Sequence, residues 1–249
     1  MARPARVRKS TAPVAAPAVS TPQLGAPARP RTPGAARSAR AARALARLVP
    51  TPTKTPFTLG YGLLLLATGV FADLGDPETV RALLAGSSTD VSHLAERPLL
   101  VLLASGAWVA GGLLSPSILL FLFVLASLER RVGGPRTAAI FLSGHVAATV
   151  LTEVPVAVSV AVGHLPESSL NRLDYGISYG LMASVGALAG LLRPLPRWSV
   201  LAVVGGMLAT ALRDSADPLT DWGHAIALLV GLACWPYVRQ IHLRRTATR

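Results

Sequence analysis

The chain has 249 residues, 51% of them hydrophobic and only 14% charged, with a mean hydropathy of +0.50. Soluble domains carry about 25% charged residues, so this composition excludes an ordinary soluble enzyme and predicts an all-α polytopic membrane protein. The formal net charge of +12 sits in tails and loops beside apolar runs, which points to membrane lipids and not to nucleic acid. The single cysteine, Cys234, rules out an intrachain disulfide.

Residues 1–56 hold eleven Lys or Arg, no Asp or Glu, and many Pro and Ala. Such a segment buries too little apolar surface to offset its ordering entropy and is expected to be a disordered cytoplasmic tail. An organelle transit peptide is the alternative reading of an Arg-rich, acid-free start, but the proline content argues against it. Only Arg37 to Val49 reads as a short amphipathic helix suited to an anionic membrane surface.

The apolar runs that follow are Phe57–Leu74, Leu113–Leu128, Thr137–Val162, Tyr175–Leu192, Trp198–Leu212 and Trp222–Val238. They predict a bundle of six transmembrane helices over 57–238, followed by a basic cytoplasmic tail, 239–249. Leu99–Val109 is too short to span and is expected as a hairpin or re-entrant helix. With both termini cytoplasmic, 20 of the 24 Lys and Arg fall inside, whereas Glu129 is the only inside acid among the twelve. This positive-inside bias fits a multi-pass protein of the cell membrane.

In that topology the fourth and sixth spans both enter from outside, Ser178 about four residues in and His224 about three. At 1.5 Å per residue a serine and a histidine distant in sequence reach one shallow depth. Gly176, Gly180, Gly186 and Gly190 on the fourth span, and Gly223, Ala227 and Gly231 on the sixth, form small-residue stripes that let helices approach closely in lipid. The bland alternative is that small residues are common in membrane helices.

Three stretches carry a family likeness. Gly176-Ile-Ser-Tyr opens the fourth span, His224 is followed by Ala227 and Gly231, and Leu128-Glu-Arg-Arg-Val-Gly133 ends the second. With the short Arg97–Trp108 segment similar to a membrane-embedded first loop, the chain resembles the rhomboid intramembrane serine proteases. The resemblance implies a catalytic dyad of Ser178 and His224 that cleaves single-pass transmembrane substrates without a cofactor or metal. In it the histidine takes the serine proton and later protonates the leaving amine.

The chain departs from the family in three ways. Tyr179 stands where the family has glycine after the serine. The histidine and asparagine that the family carries on its second helix fall on Leu113 and Ser117. Asp221 and Asp174, three and four residues before His224 and Ser178, are candidates to orient the imidazole. The remaining oxyanion donors are the Ser178 and Tyr179 backbone N–H groups and the Ser117 and Tyr179 hydroxyls, and loss of one such donor costs roughly 100- to 1,000-fold in rate.

His145 and Glu153 lie within the third span, about 80° apart around an ideal helix; they form no metal pair, and no H-E-x-x-H motif occurs. His145 is expected to hydrogen-bond another helix and Glu153 to border the outer water. Three functions follow: an intramembrane serine peptidase, a non-catalytic rhomboid-like protein that binds transmembrane segments of clients, and a small transporter built on His145, Glu153 and Asp174. The third lacks an internal repeat.

Overall fold

Proline, a residue that suits the first helical position because its missing N–H is not needed there, opens or nearly opens most of the helices. In the computed structural model residues 49–113, 115–214 and 217–247 are described. They form α1 (Pro56–Leu74), α2 (Pro77–Gly86), α3 (Val91–Glu96), α4 (Pro98–Ser105), α5 (Pro116–Val132), α6 (Gly134–Ala161), a 3-10 turn (Glu167–Asn171), α7 (Ser178–Ala189), α8 (Pro194–Asp214), α9 (Pro218–Ala233) and α10 (Trp235–Ala247). The expected N-terminal tail, with its amphipathic stretch, lies outside the described residues up to position 48.

The first five apolar runs each hold one helix, and the sixth is divided between α9 and α10. By length and apolarity α1, α6 and α8 are able to cross a membrane alone, at 19, 28 and 21 residues, and α9 with α10 makes a fourth candidate, bent by 45°. The run expected over Tyr175–Leu192 contains a helix of only 12 residues, and α5 has 17. Beyond the expected sixth span, the basic stretch from Arg239 to Ala247 continues as helix α10.

The first loop shows how a non-spanning segment is held among apolar helices. Carbonyls beyond a short helix must find donors where water is scarce. Here Tyr61 donates to Gly106 O at 2.7 Å, Thr68 to Ala107 O at 2.6 Å, and the Gly176 N–H to Ser105 O at 3.0 Å. His145 Nε2 lies 3.1 Å from Leu102 O and 3.0 Å from Ser105 Oγ. Since a carbonyl only accepts, Nε2 carries the ring proton. The expected structural role of His145, a hydrogen bond to another element, is what the structure shows.

Glu129 has a similar task. Its carboxylate accepts the Phe57 and Thr58 N–H groups at 2.9 and 2.8 Å and the Thr58 hydroxyl at 2.7 Å, so it caps the open N-terminal donors of α1. Edge-to-face contacts among Tyr61, Phe121 and Phe141, with ring centroids 5.1–6.0 Å apart, join α1, α5 and α6.

α7 is the central element. From Tyr179 to Ala189 only Met182 is not buried, and its most extensive contact is with α9. A methyl placed on Gly186 would lie 2.6 Å from Leu228 O, and one on Gly231 would fall on the Ala183 carbonyl. These two glycines therefore form the seam, as the small-residue stripes predict. Gly180, however, faces Phe141 on α6, and Gly190 faces Trp235. At the far end of α7, Arg197 donates to Ala189 O and Leu192 O and Arg239 to Gly190 O. Both guanidinium groups lie over the Trp235 ring, 5.3 and 4.8 Å from its centre. Cations at a helix C-terminus are favourable. In contrast, α8 buries only Leu208.

Candidate functional site

The start of α7 is set by the loop before it. Asp174 accepts from the Thr89 hydroxyl at 3.0 Å, its N–H donates to Ser88 Oγ at 3.0 Å, and its carbonyl accepts the Thr89 N–H at 2.8 Å. Gly176 follows with φ +129°, a conformation L side chains rarely adopt. The extended stretch pinned in this way delays the helix, so Ser178 is its first residue and does not sit four residues inside it. His224 is the seventh residue of α9, two turns from its Asp217 cap.

Tyr179 occupies the space between the two helices. Its ring lies over Gly223, where a side chain would collide with it, and meets the His224 ring edge-on with centroids 5.4 Å apart. On its other side the His145 ring is 6.4 Å away. This contact puts residues 178–179 of α7 level with 223–224 of α9. No hydrogen bond joins Ser178 to His224; the His224 Nε2 is buried without a partner among the described residues. The Tyr179 hydroxyl is buried near Thr220 and completes no hydrogen bond of ordinary length.

The carboxylates differ in reach. Asp221 Oδ1 is 3.9 Å from His224 Nδ1, whereas Asp174 is held by Thr89 and lies beyond ion-pair distance of the imidazole. Burial, opposed by Arg172 and by the Thr89 hydroxyl, raises the Asp174 carboxyl above the ordinary carboxylate range. Another expected donor, the Ser117 hydroxyl, is engaged by Ser115 in the cap of α5, and Leu113, at the position where the family has its other second-helix donor, packs over Gly69 of α1.

One residue to which sequence reasoning assigned no role organises this end of the bundle. Arg172 Nη2 pairs with Glu153 at 2.7 Å, and its Nη1 meets Asp217 at 3.1 Å and Thr220 at 3.3 Å. It ties α6 to the first turn of α9. Glu153, expected beside water, is instead 2% exposed, because this loop cation follows it into the interior. The only signal was Arg172's place as the single Lys or Arg of the loop between α6 and α7, beside Glu167 and Asp174. His145 Nδ1, Thr149 Oγ1 and Glu153 Oε2, spaced four apart along α6, are also buried without partners among the described residues. With Tyr179 and His224 they form a polar interior that could admit water or a polar guest.

The sequence profile of a family described as "Rhomboid-like protein" matches residues 53–244, a stretch that runs from the approach to α1 into α10 and includes Ser178, His224 and Glu129. No curated protein matches the chain. No solved structure matches it.

Proposed function

The chain belongs to the rhomboid-like family, and from that premise we propose that it is a multi-pass protein of the cell membrane that holds transmembrane segments of client proteins without cutting them. The observation that carries this reading is the state of His224. The nitrogen that must accept a serine proton has no partner, and the Tyr179 ring lies against the imidazole. The expected oxyanion positions support it further, since Leu113 is turned onto α1 and Ser117 is engaged in a helix cap. In this reading six spans place both termini in the cytoplasm, and the clients are single-pass proteins.

An apolar groove of about 350 Å³ between α5, α7 and α8, lined by Leu120, Phe123, Val185, Leu188, Val200 and Val204, offers a client helix a surface. α8, which buries little of itself, is free to adjust around it. A photo-crosslinking residue at position 123 or 200 should capture single-pass membrane proteins in wild type and Ser178→Ala alike, with the captured protein at full length. Capture of shortened fragments in wild type only would overturn the reading.

The peptidase reading is kept by one observation. Asp221 stands behind His224 Nδ1 at 3.9 Å, on the side where an orienting acid of a triad stands.

A further inference from the structure

At the other end of α6, about 30 Å along the helix from Glu153, a cavity of about 460 Å³ opens among α1, α5, α6 and α10. Lys54, Arg130 and Arg245 line it. The one acid in its wall, Glu129, is 1% exposed, and both of its oxygens are turned to the N–H groups of Phe57 and Thr58. The cavity therefore presents cations, and its carboxylate is already engaged. Gly133 caps α6 without a side-chain hydrogen bond, so the positive end of a long helix adds to the same field.

We propose that this cavity binds the phosphate headgroup of an anionic glycerophospholipid. A second feature assigns the ligand to a lipid and not to a soluble phosphate. An apolar groove of about 300 Å³, lined by Val49, Leu59, Leu63, Leu66 and Leu122, runs between α1 and α5. Arg130 links the two, since it lines the charged cavity and donates to the carbonyl of Val49 at 2.8 Å. Lys54 and Leu59, one on each surface, are little more than a turn apart on the same chain segment. Headgroup and acyl chain thus have adjoining sites of matching chemistry. Such a lipid would brace α1 against α5 where Glu129 already joins them.

The test is native mass spectrometry of the full chain, released from nanodiscs that hold equal phosphatidylglycerol and phosphatidylcholine. One phosphatidylglycerol should be retained with about 25-fold preference, the product of roughly fivefold for each of two cations near the headgroup. Lys54→Gln should lower that preference about fivefold, and Lys54→Gln with Arg130→Gln should bring it near parity. Leu63→Trp, at an exposed position (57%), should crowd the acyl groove and weaken retention of both lipids without changing their ratio. Parity in the wild type, or a preference untouched by Lys54→Gln, overturns the proposal. Thermal stabilisation by millimolar glycerol phosphate equal to that by phosphatidylglycerol would show a soluble-phosphate site and overturn the lipid assignment.

Discussion

A methyl group at Gly231 tests whether α7 and α9 are in direct backbone contact. It would stand 2.8 Å from the Ala183 carbonyl carbon and 2.9 Å from the Ala187 nitrogen, where ordinary contact begins at 3.4 Å. The nearest atom, the Ala183 carbonyl oxygen, would lie closer still, and backbone atoms cannot rotate away, so the helices must part by roughly 1 Å, a gap that forfeits about half of each dispersion contact. For about 40 atom pairs across the seam at ~0.15 kcal/mol each, the loss is about 3 kcal/mol. The gain in helix propensity from Gly to Ala returns roughly 0.5–1 kcal/mol. Gly231→Ala should therefore lose about 2–2.5 kcal/mol, or roughly 4–10 °C in Tm by thermal unfolding in detergent. Gly205→Ala on α8, where nothing lies within 4 Å, is the control and should unfold at or slightly above wild type. If Gly231→Ala unfolds with that control, the seam is not a close contact.

Three further outcomes are expected. Glu153→Gln should cost about 3 kcal/mol, near the low end for breaking a buried ion pair, because Arg172 keeps Asp217; an unchanged Tm would remove the Arg172 tie between α6 and α9. Asp174 has a folded-state pKa raised first of all by burial, so wild type loses stability as pH rises from the ordinary carboxylate value, about 4, toward the folded one, and the cost persists above it. Asp174→Asn should be insensitive over that window and gain on wild type toward pH 7, an account that parallel pH curves would contradict. Reporter fusions after Ala85, Glu167 and Ala216 should read outside, and those after Gly134, Leu195 and Arg249 inside; an outside reading at Leu195 would separate Ser178 from His224.

Apolar runs located every long helix among the described residues, because apolarity over a helix's length is a property of local sequence. Helix starts were less legible. The delay of α7 to Ser178 depends on Asp174, Gly176 and their partners Ser88, Thr89 and Ser105, which lie 70 or more residues earlier. The small-residue stripes marked Gly186 and Gly231 correctly, but a stripe does not say which neighbour each glycine faces, and Gly180 turned to α6. Glu153 was misplaced at a water boundary since its partner, Arg172, comes from a loop with no periodic signal. Tyr179 was read as a departure from a glycine position, and only the fold shows its ring packed on Gly223 and against His224.

The central claim, a rhomboid-like bundle that holds transmembrane segments without hydrolysing them, meets its most direct test in labelling by a fluorophosphonate probe in native membranes. Wild type, Ser178→Ala and His224→Ala are compared at equal expression. The account predicts the same background signal for all three, because His224 Nε2 makes no hydrogen bond to Ser178. Labelling of wild type that disappears in both variants would contradict it and establish the serine peptidase.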